Sequence, residues 1–272
     1  PGRIIEYGNA GNLVPLDDMI EELKSDLSSE SLLETCVGAD GSYYMYPISS
    51  SPFYMGLNKE MLEEADALQY VNLEGDRTWT TENFVKMCEA LRDAGVCQTP
   101  GIVYCGAQGG DQGTRALVNN LYSDYYVTED GSSYNANSAN NVKALTLLQE
   151  MVNAGSLSAN ASFQASDELQ AFANQTCAVT FCWNYSNYSQ YAAQAQFTPF
   201  AMAFPSDDGQ PELEMAGPYG FGIFDNGDEA KIEAARTFVQ FVCDNQEAGT
   251  EAVKTTGFFP VHSLWGDVYE GD

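Results

Sequence analysis

Tyr43-Tyr44-Met45-Tyr46-Pro47-Ile48-Ser49-Ser50-Ser51-Pro52-Phe53-Tyr54-Met55-Gly56-Leu57-Asn58-Lys59-Glu60-Met61-Leu62 holds two apolar, aromatic-rich runs around a serine-proline bridge. Tyr43 to Ile48 and Phe53 to Leu57 have strand length and strand composition. Asn58 is an N-cap residue type, and it predicts a helix over Lys59 to Leu68. Strand, strand and helix in immediate succession are the unit of an α/β layered fold.

The same alternation extends in both directions. Upstream, Leu16-Asp17-Asp18 opens a helix with Met19, Ile20, Leu23 and Leu27 on one face and with the acidic first turn that the helix dipole favours. Downstream, Thr80 caps a helix carrying Phe84, Val85, Cys88 and Leu91 that stops at Gly95. Asn140 to Ala154 predicts a helix with Val142, Leu145, Leu148 and Val152 inward, and Ser166-Asp167-Glu168 starts one that buries Leu169 and Phe172. Asp228 begins the last long helix, with Ile232, Ala235, Phe238, Val239 and Val242 as its inward stripe. Further strands are expected at Gly101 to Cys105, Ala178 to Trp183, Pro199 to Phe204 and Tyr219 to Phe224. Loops rich in Gly, Ser and Asn lie between them, with neither an internal repeat nor a low-complexity tether. The 272 residues allow about two domains, so the chain passes between them through strands.

Eleven Lys and Arg against 39 Asp and Glu give a charge of −28. That excludes nucleic acid as partner, because backbone binding needs cations against phosphates. It favours an uncharged or cationic ligand over an anion. Hydrophobic residues at 44% supply a core and separate this chain from acidic disordered ones. No apolar run reaches the roughly 20 residues that span a bilayer. Seven widely spaced cysteines without a CxxC pair, and a single histidine, argue against a zinc site built from Cys and His. Cys88 and Cys243 read as buried thiols within helices, and a Cys97–Cys105 disulfide stays open as an alternative.

Serine-hydrolase chemistry needs a histidine, and His262 in Phe259-Pro260-Val261-His262-Ser263 reads as a surface residue after a turn, with no GxSxG elbow elsewhere. Gly217-Pro218-Tyr219-Gly220-Phe221-Gly222 has the wrong glycine spacing for a nucleotide loop and no P-loop lysine. The aromatic residues say more. Trp183-Asn184-Tyr185-Ser186-Asn187-Tyr188-Ser189-Gln190-Tyr191 interleaves rings with amides and hydroxyls. Such a mixture suits a sugar, with flat rings against C–H faces and amides on hydroxyls. The alternative for Tyr188 and Tyr191 is a helix start whose rings pack inward.

Taken in order, these segments resemble the family 1 extracellular solute-binding proteins of ABC importers, the maltose-binding-protein-like group. Gly11-Asn12-Leu13-Val14-Pro15-Leu16-Asp17-Asp18 looks like its "G.L.PLDD" element, and Asp40 to Pro47 its "DGKYYGVP". Leu57-Asn58-Lys59 resembles "YNK", Thr78-Trp79-Thr80 with Phe84 "TWDEF", and Phe172 to Val179 "F.nGkaAM". Pro205 near Gly209, Gly217 to Ile223, Ala234 to Phe241, and Thr256 to Val261 continue the series to the end of the chain.

The resemblance implies a two-lobe periplasmic-binding-protein fold of class II type, α/β throughout, with hinge-crossing strands and an incomplete first lobe. It implies lobes at 1–50 (first, partial), 51–200 (second) and 201–244 (return to the first), then partial C-terminal helices at 245–272. It also implies a fragment lacking both ends, with the signal peptide and lipoprotein anchor outside it. Expected partners are a small-molecule carbohydrate and a membrane permease. No cofactor, metal or catalytic residue is expected, the protein is expected to be a monomer, and its place is outside the cell, at the surface or in the periplasm. Polyamine or other cationic solute binding is the rival within transport, and a carbohydrate-active enzyme the rival outside it. Ligand contacts carried over are Ser50 and Ser51 at the first crossing, Gln108 and Asp111 in the glycine-rich loop, Trp183 and Tyr185 after a strand, and Gly217 and Tyr219 at the return. Trp183 is the expected stacking ring and Asp111 the acceptor for sugar hydroxyls. Ser51 stands where maltose-binding protein has a carboxylate.

Overall fold

The computed structural model of the chain describes residues 2–106, 111–128, 132–191, 195–211 and 214–271. In chain order these form α1 (Gly2–Asn9), α2 (Asp17–Leu23), β1 (Tyr46–Asn58), α3 (Lys59–Glu64), α4 (Thr81–Ala94), β2 (Ile102–Tyr104), α5 (Gln112–Leu121) and α6 (Ala139–Asn153). Then come β3 (Ser158–Asn160), α7 (Ala165–Ala173), β4 (Val179–Trp183), α8 (Tyr185–Tyr191), β5 (Pro199–Met202), β6 (Glu214–Phe221), α9 (Glu229–Asp244), α10 (Gln246–Thr256) and β7 (Phe259–Pro260). The chain separates into two units, residues 1–52 with 215–272 and residues 53–214.

Local chemistry sets most helix ends. The Asn58 side chain accepts from the Met61 N–H, Thr80 from Asn83 and Asp228 from Lys231, each satisfying a first-turn donor that the helix leaves unpaired. Gly95 closes α4, and Gly257 closes α10, in the left-handed conformation that costs glycine least. The first expected strand pair is one continuous strand: β1 begins at Tyr46 and runs through Pro52 to Asn58. Its second half pairs antiparallel with β4 and β5 (Leu57 opposite Val179 and Phe200), and its first half with β7 (Ser49 opposite Pro260). β6 also pairs with β1, and it ends at Phe221 instead of running on to Phe224. The helix at Lys59 stops at Glu64, and a 3-10 turn covers Leu68–Tyr70.

Unit 53–214 packs α3, α4, α5 and α6 around Leu57, Phe84, Leu117, Leu148 and Phe181, with a second cluster around Phe172, Trp183 and Phe197. The other unit packs α2, α9 and α10 around Leu16, Ile20, Tyr46, Cys243 and Val253.

One expected stripe is rotated, and a second loses one member. On α6 the buried residues are Asn141, Ala144, Leu148 and Met151, while Val142 and Leu145 are about half exposed (50% and 48%). The cause is Asn141, whose Nδ2 donates to the Tyr125 and Asn135 carbonyls and so draws a polar residue inward. On α9 the expected stripe holds at Ile232, Ala235, Val239 and Val242, which pack into the core with Cys243, whereas Phe238 is 58% exposed. In α8, Tyr191 packs inward and Tyr188 faces out. All seven cysteines are free thiols, Cys97 and Cys105 included. His262 is not a surface residue; it is 5% exposed and lies face to face with the Trp265 ring, 4.3 Å between centroids.

Candidate functional site

Of the eight expected ligand residues, four belong to each unit's share of the sequence. In unit 53–214, Trp183 ends β4 opposite Tyr54 of β1. Only 3% of it is exposed, because Phe172 and Tyr188 meet its ring edge-on at 5.4 and 6.4 Å. Tyr185 opens α8, half-buried, with its ring 6.5 Å from that of Tyr188. The intervening amides are structural here: Asn184 Oδ1 accepts from the Asn187 N–H, and Asn187 Nδ2 donates to the Cys182 carbonyl. The segment that alternates rings and amides therefore sends its Asn184 and Asn187 amides to the backbone and leaves Tyr188 46% exposed on α8. Asp111 precedes α5, with its carboxylate 3.4 Å from the Arg115 guanidinium one turn on. Gln108 lies outside the described residues.

In the other unit, Ser50 and Ser51 are buried within β1, and Ser50 stands opposite Phe259 of β7. Gly217 lies in β6 at φ +87°, a left-handed conformation that favours glycine. Tyr219, two residues on, is 43% exposed, and its ring stacks on Phe258, centroids 4.6 Å apart and planes 22° from parallel. This pair borders a hollow of about 260 Å³ whose walls include Ile48, Ser49, Phe221 and Val253. No charged side chain lines it. A flat aromatic face above an uncharged wall suits the C–H faces of an uncharged ligand.

Phe258 escapes a reading of the sequence alone. Phe258 and Phe259 are adjacent aromatics at a strand start, where neighbours point to opposite faces, and nothing local says which one meets Tyr219. Phe259 turns instead toward Tyr269.

Titratable groups fall into two kinds. Surface carboxylates such as Asp18, beside Arg236, are held below their ordinary range by hydrogen bonds and ion pairs. Buried ones are not. Glu168 on α7 has no exposure, and burial pushes it up to about 8, although it accepts from Thr180 Oγ1 (2.5 Å) and the Phe181 N–H (2.8 Å). Among the described residues, no group of three His, Cys, Asp or Glu side chains is placed to hold a metal ion, and no helix is long and apolar enough to cross a membrane.

The fold is shared with solved binding-protein structures. It is similar to UgpB from Mycobacterium tuberculosis, solved with glycerophosphocholine (TM-score 0.74, 18% identity, 97% of this chain and 65% of that one). It is also similar to Lmo0181 from Listeria monocytogenes in complex with cycloalternan (0.72, 22%, 99% and 66%). A third is an ABC transporter solute-binding protein from Thermotoga lettingae with bound α-D-tagatose (0.72, 16%, 96% and 65%). The chain thus spans slightly less than two thirds of these neighbours' length. No curated protein sequence matches it significantly. The two-lobe solute-binding architecture expected from the sequence is the one these structures share, and residues 2–263 match the family described as bacterial extracellular solute-binding protein; the chain belongs to that family.

Proposed function

We propose that the protein captures an uncharged mono- or oligosaccharide outside the cell and delivers it to the membrane permease of an ABC importer, without catalysis. The observation that carries the proposal is the exposed Tyr219 ring, stacked on Phe258 beside a hollow without charges. Tyr185 and Tyr188 add a second aromatic surface on the other unit. In this proposal Trp183 backs that surface from beneath, Asp111 accepts hydroxyl hydrogen bonds, and Gln108, Ser50, Ser51 and Gly217 are further ligand contacts. The sugar-bound state of two of the similar structures supports the substrate class. Anchoring to the membrane and a monomeric state belong to the same proposal.

A cationic solute is the second reading, favoured by the charge of −28. A thermal-shift panel of sugars and polyamines, with chromatography of each sugar after incubation, separates the readings. One sugar at about 100 times its Kd is expected to stabilise the protein by about 2.7 kcal/mol, with no product formed. Tyr219→Ala is expected to weaken that sugar about tenfold, the scale of one lost aromatic contact. Shifts with polyamines alone would overturn the sugar reading, and hydrolysis products would overturn the binding-protein reading.

A further inference from the structure

The hollow beside Tyr219 lies wholly within unit 1–52/215–272, and its walls do not match a bare sugar ring. Strands β1 and β6 contribute Ile48 and Phe221, and helices α9 and α10 contribute Val242, Ala252 and Val253. Apart from the Tyr219 phenol, the polar side chains of the wall are Ser49 and Thr256. Thr256 is spent on its own helix, where Oγ1 lies 2.8 Å from the Val253 carbonyl and 3.3 Å from that of Ala252. Ser49 is only 4% exposed. A pyranose carries several hydroxyls, and each one taken out of water without a partner is costly. Walls this poor in donors and acceptors leave the sugar ring at the mouth, on the 43% exposed face of Tyr219.

The space behind that ring suits something else. Its volume is about 260 Å³, whereas an apolar cavity of about 150 Å³ is enough for benzene. With no charged side chain on the wall, an ammonium or carboxylate would enter unpaired, which excludes both. Apolar surface, by contrast, gains from leaving water whatever its orientation. Tyr219 and Phe258 border the same hollow, so a ligand lying on their stacked pair is in reach of it.

We infer that the hollow is a subsite for an apolar substituent, and that the solute is a glycoside whose aglycone is a phenyl ring or a short alkyl chain. This rests on the sugar reading for the half of the ligand outside the hollow.

Saturation-transfer NMR of the whole chain tests both halves, with the methyl and phenyl β-D-glycosides of glucose, galactose and mannose, and with phenol, as probes. The phenyl glycoside of one sugar is expected to bind saturably and at least tenfold tighter than its methyl counterpart, since each buried methylene is worth about fourfold. Phenol is expected to bind more weakly and to compete with it. Ala252→Leu narrows the hollow with another good helix former, and is expected to cut the phenyl-to-methyl ratio to about twofold. Val242→Phe does the same from α9, and urea midpoints show that each variant is folded. Methyl and phenyl glycosides of equal affinity overturn the inference and leave the sugar reading standing. Phenol binding as tightly as every phenyl glycoside overturns the sugar reading and the glycoside with it. A ratio unchanged in both variants places the ring elsewhere and overturns the subsite. So does self-association, seen by sedimentation, that both variants abolish, because a second copy then fills the hollow. Absence of binding by every probe overturns both.

Discussion

Glu168 shows how far a single side chain departs from what its sequence neighbours say. It stands in the acidic first turn of α7, where a helix-dipole argument makes it a solvated surface carboxylate. The fold buries it completely instead, against Thr180 and Phe181 of β4. Its folded pKa, near 8, exceeds its unfolded value, so the folded state holds the proton more tightly. Stability from this group is therefore full below the ordinary glutamate range and is lost as pH rises toward 8. The loss amounts to as much as about 4 kcal/mol. Urea unfolding followed from pH 5 to 8 is expected to show this decline, and Glu168→Gln to flatten it, since an amide bonds Thr180 and Phe181 without ionising. His262 follows the same logic: a histidine after a turn reads as exposed, and only the fold brings Asp26 from the far end of the sequence onto its Nδ1. Burial and partners of this kind are tertiary, and the sequence carries no local sign of them.

At the scale of an element, what can be read depends on where the cause lies. The caps at Asn58, Thr80 and Asp228 are local, because donor and acceptor are three residues apart, and the spacing alone predicts them. The inward face of α6 is set by what packs against it, so periodicity found the helix and placed Val142 and Leu145 one position off the buried Asn141 and Ala144, whereas on α9 it placed all of the stripe but Phe238. The site divides in the same way. Tyr185 and Tyr219 stand out as aromatics in polar surroundings, whereas Phe258, the partner of Tyr219, does not. Helix α10 provides a test of packing against propensity. Alanine is a better helix former than glycine by about 1 kcal/mol, yet a Cβ on Gly249 would lie 2.0 Å from the Trp265 ring. Trp265 in turn carries the His262 stack. Overpacking of this kind costs about 1–3 kcal/mol, so Gly249→Ala is expected to lower the urea midpoint despite the gain in propensity, and to shift the His262 resonance.

For the whole molecule, the order of the blocks from Gly11 to Val261 carried the family, and no block would have done so alone. The charge of −28 removed nucleic acid from consideration without choosing a ligand. The two units are assembled differently. One is a continuous run, 53–214, and the other is made of 1–52 and 215–272. Closing a contact between distant segments costs more entropy than closing a near one, and contacts far apart in sequence slow folding. Pulsed hydrogen exchange during refolding is expected to protect amides of α4, α6 and β4 before those that join Ser49 to Pro260. Simultaneous protection of both groups would contradict this.

Strand β1 gives that asymmetry a temporal meaning. A polypeptide delivered from its N-terminus exposes Tyr46 to Pro52 early, yet β7, which zips onto this half of the strand, arrives more than two hundred residues later. Until β6 and then β7 are made, the half-strand is an edge rich in aromatic and aliphatic side chains, the kind of surface that seeds aggregation. Its other half meets β4 and β5 much sooner. The exposure of this edge thus falls during the protein's own delivery, before β7 has emerged.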